Sequence, residues 1–551
     1  MPLHSLCALP DDPLLDGIFR YLEPRQLVRL RLTCTRLYAL THLRSVWHNA
    51  LEKLRRERNL PLPYPSRPLP TLTSRQLEDT VVKMVRLDNS FTKSRVKPAL
   101  IRTFNTQGGQ VPKISCMHLL AGGEWLLTAN TEEVTCWDLT SPDPCSAGVY
   151  KLAPVSVSGK DQGYKDICVR NLQAQLHASG DEAVVAAYMS YDGHLSNVWN
   201  DKVAVWKITG LSRRAEITST FITSLCFPDY APEYGMSDLN GDYVAFLGRE
   251  HETPVISITN WRTGDADEYE QAKFRPDFSP VISETDPLRV QGITLVPPYV
   301  LVVAGPVIAL FPIPSFERVK HLCGDAPRLP AQQIHRFDTR AYTLMGEYVG
   351  VAQNPALTLT PQSLVAASPQ PITLLTSRSR ITLTPATEPG KEALYVLPPT
   401  VSRLRAWTHR TSKPAAVGPS GTRGVWIQRP TGIRHRLIAW TAARHTFEEE
   451  EQEDKNTETT AEALNRIEQI EAAAAGPEAE STVMESVRWP RNGADGGMVL
   501  QGWNSLPHGR ARKVDLYPVK VEDVKRVAFD EGTGRTCLGM RNGEVHVLDF
   551  A

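Results

Sequence analysis

ISCMHLLAGGEWLLTANTEEVTCWDL, residues 114–139, reads as three short strands and two turns. Residues 114–119, 125–129 and 134–139 alternate apolar and polar positions, as half-buried strands do. Ala121-Gly122-Gly123 and Asn130-Thr131-Glu132 between them are turn formers. Outward from this unit the theme returns. Residues 203–208 repeat its last strand, residues 243–247 with 255–261 repeat a strand pair more loosely, and the chain ends on a clear copy. That copy is 524–529, then 535–540, then Asn542-Gly543 turning into 544–550. No charge falls between Arg289 and Glu317, yet five prolines and two glycines interrupt the stretch. A membrane-spanning helix needs about 20 unbroken apolar residues, so 292–296, 299–304 and 307–311 read as three further strands.

Units of three or four strands repeated over residues 111–551 imply a β-propeller, an architecture that leaves few free sheet edges. Six to eight blades fit the irregular spacing; a two-sheet sandwich needs fewer strands. Cys136-Trp137-Asp138-Leu139 resembles the closing strand of a WD repeat, and 203–208 resembles it without the Asp.

Toward the N-terminus the composition changes. Residues 60–70, LPLPYPSRPLP, form a proline-rich, extended and semi-rigid connector. Ser74 then suits the cap of a helix bearing Leu77, Val81, Met84, Val85 and Leu87. This helix is expected to bridge the first fifty residues to the β body. Within those fifty, Asp12 and Pro13 suit a helix start, and Leu14, Leu15, Ile18, Phe19 and Leu22 recur at helical spacing. Glu23-Pro24 starts a second helix with Leu27, Leu30 and Cys34, and a third runs from about Arg36 through Leu37, Leu40, Leu43 and Trp47. Helices this few bury little by themselves, so their apolar surface must meet a partner or the rest of the chain.

Residues 9–40, LPDDPLLDGIFRYLEPRQLVRLRLTCTRLYAL, resemble an F-box. The resemblance rests on Leu9-Pro10, Leu14-Leu15, Ile18-Phe19, Tyr21-Leu22, Pro24, and Cys34-Thr35-Arg36 with Tyr38. One residue more than the pattern stands between Pro10 and Ile18, near Gly17, which bears on the contacts of Leu14 and Leu15. The resemblance implies a Skp-family adaptor as partner and, through it, a cullin. It assigns the adaptor contact to Leu9, Pro10, Leu14, Leu15, Ile18, Phe19, Leu22, Pro24, Leu27 and Leu30. An F-box followed by a degenerate WD-like propeller resembles fungal F-box substrate receptors. The organisation expected is therefore an all-α F-box at 1–59, a connector and bridging helix at 60–110, and an all-β propeller at 111–551.

Residues 401–447 contain no Asp or Glu but carry Arg403, Arg405, Arg410, Lys413, Arg423, Arg429, Arg434, Arg436 and Arg444. An acidic stretch poor in aromatics follows at 448–482, with the composition of a disordered insertion. Two arrangements are open. Arg403, Arg405, Arg410, Arg423, Arg429, Arg434 and Arg436 converge on one face to bind a phosphorylated or acidic protein substrate, with the insertion competing there. Alternatively, strand alternation scatters them and the insertion only keeps the chain soluble.

Composition narrows the classes. The 551 residues exceed one compact core, 41% are apolar, and 61 basic balance 61 acidic residues, which gives no reason to expect nucleic acid. Nine scattered cysteines lack zinc-ligand or disulfide spacing, and residues 1–10 lack a secretory pattern, so a cytoplasmic or nuclear setting is expected. No P-loop, dinucleotide fingerprint, HExxH or Gly-x-Ser-x-Gly motif occurs. No catalytic residue, metal, cofactor or membrane contact is therefore expected. The function implied is substrate recognition within a Skp–cullin–F-box ubiquitin ligase. The alternative is a scaffold, or a propeller enzyme, that binds the adaptor without directing a substrate to degradation.

Overall fold

The computed structural model describes residues 9–58, 60–63, 69–92, 96–106, 114–130, 133–141, 143–144, 149–152, 167–177, 179–191, 201–214, 216–227, 236–250, 253–265, 268–279, 290–296, 298–319, 326–337, 348–352, 372–376, 379–386, 395–396, 399–403, 411–417, 423–428, 436–441, 510–514, 519 and 521–550. By its contacts the chain divides into Met1–Ala443 with His508–Ala551, and Arg444–Pro507. The second unit, which contains the acidic insertion at 448–482, lies outside the described residues.

The N-terminal part is helical: α1 (Asp11–Gly17), a 3-10 turn (Phe19–Tyr21), α2 (Pro24–Leu30), α3 (Thr35–Thr41), α4 (Arg44–Arg58) and α5 (Ser74–Thr92). The first start differs from expectation. Pro10 occupies the cap position of α1, so Asp12 lies inside the helix and caps nothing. Asp11 instead pairs with Arg36 at 2.5 Å, and the Arg36 guanidinium also donates to the Leu9 carbonyl. Proline at the first position does start α2, where Glu23 and Gln26 form a reciprocal capping box. The third segment is two helices, because the chain turns at His42-Leu43 and the Trp47 indole donates to the Thr41 carbonyl at 2.8 Å. Thr73, not Ser74, caps α5 through Gln76, while the Ser74 hydroxyl donates to the His42 carbonyl.

Among the described residues the β part forms seven sheets, whose blade strands pair antiparallel, each built outward from its first strand. Blade 1 holds β2–β5 (Cys116–Leu119, Trp125–Ala129, Val134–Asp138, Val149–Lys151). Blade 2 holds β6–β9 (Ile167–Leu176, Glu182–Tyr191, Asp201–Thr209, Thr218–Phe227). Blade 3 holds β10–β13 (Met236–Asn240, Tyr243–Glu250, Thr253–Asp265, Glu268–Asp277). Blade 4 holds β14–β16 (Val290–Val296, Tyr299–Ala304, Val307–Pro312) and β19 (Gln333–Arg336). Its β17 (Glu317–Val319) and β18 (Arg328–Pro330) reach back and pair with β13 of blade 3. Blade 5 holds β20–β23 (Tyr348–Ala352, Ile372–Thr376, Ser379–Leu383, Thr400–Arg403). Blade 6 holds β24–β27 (Thr411–Val417, Arg423–Gln428, Arg436–Thr441, Arg510–Lys513). Blade 7 holds β28–β30 (Val524–Asp530, Arg535–Met540, Glu544–Asp549), and its fourth strand is β1 (Leu100–Asn105).

First strands neighbour one another in the order β2, β6, β10, β14, β20, β24, β28 and back to β2, so the blades close into a ring. Among the described residues the propeller has seven blades. Residues 100–105, assigned to the connector by sequence, belong to it, because a lone outer strand has no repeat beside it to reveal it. Between blades lie apolar clusters such as Phe274, Phe311, Ile258 and Val302, which hold the ring by burial at about 25 cal/mol per Å².

Because all first strands run in the same direction, the ring has two ends. The upper end is where first strands begin; the lower end is where they turn into second strands. In blades 2 to 7 the first strand also bulges near its start, between Val169/Asn171, Met236/Asp238, Val290/Gly292, Tyr348/Gly350, Ser412/Ala415 and Val524/Arg526. A bulge inserts an extra residue and re-aims its neighbours.

Candidate protein-binding surfaces

The ten residues assigned to an adaptor contact divide into two sets. Leu14, Phe19, Pro24 and Leu27 are buried inside the helical part, with Leu37, Leu40, Trp47 and Leu51. They are internal core, which corrects their assignment: helices of seven residues cannot hold together without spending their best apolar positions on one another. Leu15, Ile18, Leu22 and Leu30 are half-buried at the margin of this core, and Leu9 and Pro10 are exposed.

The structure adds exposed apolar side chains that the adaptor assignment left out. Leu32 is 86% exposed, Tyr21 69%, Tyr38 54%, Leu43 41% and Val28 39%. Leu32 follows the end of α2 and Tyr21 lies in the 3-10 turn, so neither falls on the inward stripe of a helix. Covering a side chain of this size is worth about 1.5–3 kcal/mol. Six of the ten exposed large apolar residues described lie in the first 43 positions, Leu9 among them. An exposed concentration of this kind marks an interaction surface.

The helical part is joined to the lower end of the propeller through α5. Its Leu77, Val81 and Met84 complete the helical core, whereas Leu87 and Phe91 enter a cluster with Val425, Ile427, Phe529 and Phe550. Arg423, at the start of β25, fixes the second contact. Its guanidinium lies 3.3 Å from the Asp88 carboxylate and 5.5 Å from the centre of the Phe91 ring. Its backbone N–H donates to Glu531 at 2.7 Å. Burial lowers the Arg423 pKa, and the nearby Asp88 and Glu531 charges oppose that shift. Only 1% of Arg423 is exposed, so it offers nothing to a ligand and leaves the candidate substrate set.

The turn at 530–534 receives the joint. Asp530 accepts from Thr533 and, at 3.1 Å, from Gly122 of blade 1. A side chain at Gly532 would collide with the backbone of Leu62, and one at Gly534 with the Leu87 side chain. A bidentate Arg31–Glu78 pair, at 2.6 and 2.8 Å, ties α5 to the helices on the other side.

The remaining arginines are placed by topology. Arg403 ends β23 opposite Ser379, and Arg436 begins β26 opposite Gln428, so both lie at the upper end. Lys413 lies in the bulge of β24 and Lys525 in that of β28, at the same end. Arg170, in the bulge of β6, and Arg526 are exposed. Arg526 also donates to the Ser115 carbonyl, tying blade 7 to blade 1. Arg405, Arg410, Arg429 and Arg434 lie outside the described residues. Residues 442–509 join Thr441 to Arg510, which pair at the lower end of blade 6. Thr441 and Arg510 are thus at the end opposite Arg403 and Arg436.

Among the described residues, no group of three His, Cys, Asp or Glu side chains is placed to hold a metal ion, and no helix is long and apolar enough to cross a membrane.

Comparison with known proteins gives three findings. Residues 6–53 match the F-box-like family, so the chain carries an F-box-like domain at its N-terminus. No curated protein matches the chain. Among solved structures, the chain is similar to the Myceliophteria thermophila Cps50 (Swd1) β-propeller domain, at 12% identity and TM-score 0.41, over 81% of this chain and 99% of that one. It is also similar to a chain of a Mitotic Checkpoint Complex, at 8% identity and TM-score 0.39, over 83% and 93%.

Proposed function

We propose that this protein is the substrate-recognition subunit of a Skp–cullin–F-box ubiquitin ligase. The F-box-like helices bind a Skp-family adaptor, which connects to a cullin, and the upper end of the propeller holds an acidic or phosphorylated protein substrate. The observation that carries this reading is the exposed apolar set around Leu32, Tyr21, Tyr38 and Val28, left over after the helices have filled their own core. The joint supports it as well. A buried ion pair and a two-faced helix keep the adaptor surface in fixed relation to the propeller, and a bound substrate is then presented at a constant distance. Basic residues at the upper end, Arg403, Arg436, Lys413, Lys525, Arg526 and Arg170, favour an anionic ligand. No residue of this chain is assigned chemistry in the reading; it brings two proteins together.

The test is affinity purification of the wild type beside Leu32→Asp. Leu32 supports no internal packing, so the variant should melt as the wild type does. It should lose adaptor and cullin at least about tenfold, because a charge in an apolar contact is desolvated at a cost of several kcal/mol. Partners held by the propeller should remain. Undiminished adaptor in the variant, or none with the wild type, overturns the assignment. Accumulation of a propeller-bound partner when the chain is removed separates a degradation receptor from a scaffold.

A further inference from the structure

The outer strands of the seven blades differ in how they end a sheet. β5 has three residues and β19, β23 and β27 have four each. β1 has six, with Arg102 paired to Asp549 at 3.1 Å. β13 has ten but is overlaid by β17 at Tyr269–Gln271 and by β18 at Arg275–Asp277. Short length, charge and covering strands are the devices by which folded proteins stop sheet edges from pairing with other chains.

β9 has none of them. Its ten residues, TSTFITSLCF, include no charge and no proline, and among the described residues no strand pairs with its outer edge. Val205 pairs with Thr223 and Trp206 with Phe221, which leaves Ile222 as the extra residue of a bulge. Phe221 and Ile222 are consequently neighbours that are both exposed, 36% and 37%. Thr218 and Thr220 beside them are exposed too. Among the described residues this is the only adjacent pair of exposed large apolar side chains on the propeller.

We propose that a second copy of this chain pairs along β9, the two strands antiparallel about a two-fold axis, so that two four-stranded blades merge into one eight-stranded sheet. Charge matching selects this occupant. A two-fold contact sets a surface against itself, so it tolerates no net charge of its own. β9 is neutral along its whole length, and the charges just before it, Arg213 and Glu216, are of opposite sign and 3.9 Å apart. The covering of β13, the other outer strand of ten residues, shows how this fold treats an edge of that length. The contact uses neither the exposed apolar residues of the helical part nor Arg403 and Arg436, so it is independent of the adaptor reading.

Sedimentation velocity of the full-length protein over a wide concentration range tests it. The wild type should rise to twice the chain mass. A Thr220→Lys, Ile222→Lys double variant should remain at the mass of one chain with an unchanged melting temperature. A wild type that stays single at every concentration overturns the proposal, as does a dimer that the two lysines leave intact. If the variant fails to fold, amide exchange of the wild type decides. Exchange within residues 218–223 should slow as concentration rises, and exchange that does not change with concentration overturns the proposal.

Discussion

Arg423 shows how far composition can mislead about a single residue. It stands in a run of basic residues without one acid, where it looks like part of an anion site. In the fold its carboxylate partners come from Asp88, hundreds of positions away, and from Glu531. Removing one member of a buried ion pair leaves an uncompensated charge and costs about 3–5 kcal/mol, whereas exchanging both for apolar residues is often neutral. Asp88→Ala should therefore lower the urea midpoint strongly, and Asp88→Leu with Arg423→Met should recover most of the loss. Equal midpoints for Asp88→Ala and wild type would show that the pair does not hold the joint. The adaptor residues teach the same lesson in reverse. The motif located the F-box, but whether Leu14 or Leu32 is left exposed depended on which the helices buried themselves.

At the scale of one element, α5 decides the organisation. Its apolar positions were legible from helical spacing, yet spacing cannot say that Leu77, Val81 and Met84 serve one core while Leu87 and Phe91 serve another. The second half rests on the turn at 530–534. Gly534 has φ of +70° there, and any side chain on it meets Leu87. An L-residue in this conformation costs about 1–2 kcal/mol before any collision is counted. Gly534→Ala should speed amide exchange in residues 85–92 and leave blade 3 unchanged. Unaltered exchange in α5 would mean that its docking does not depend on the close approach to this turn.

The whole molecule is closed by a strand from far away in sequence. β1 pairs with β30 from Leu100↔Asp549 to Asn105↔Glu544, so the ring is locked by pairing the strand that precedes blade 1 with the last strand of blade 7. A chain beginning at residue 72 keeps α5 and β1 and should unfold cooperatively. A chain beginning at 107 leaves blade 7 with a bare β30 edge and uncovers Phe529 and Phe550, and it should lose that cooperativity in thermal melts. A sharp melt for the shorter chain would show that neither element is needed for closure.

The sequence alone determined what depends on neighbours along the chain. These are the F-box pattern, the strand alternation of the blades, and the turns at Gly122-Gly123 and Asn542-Gly543, because helical and β periodicity and turn chemistry are local properties. Only the tertiary structure decided the count of seven, the place of β1, the burial of Arg423, and which leucines stay open. Each of these depends on pairing between residues hundreds of positions apart, and burial is settled by the partner a side chain finds and not by its own identity.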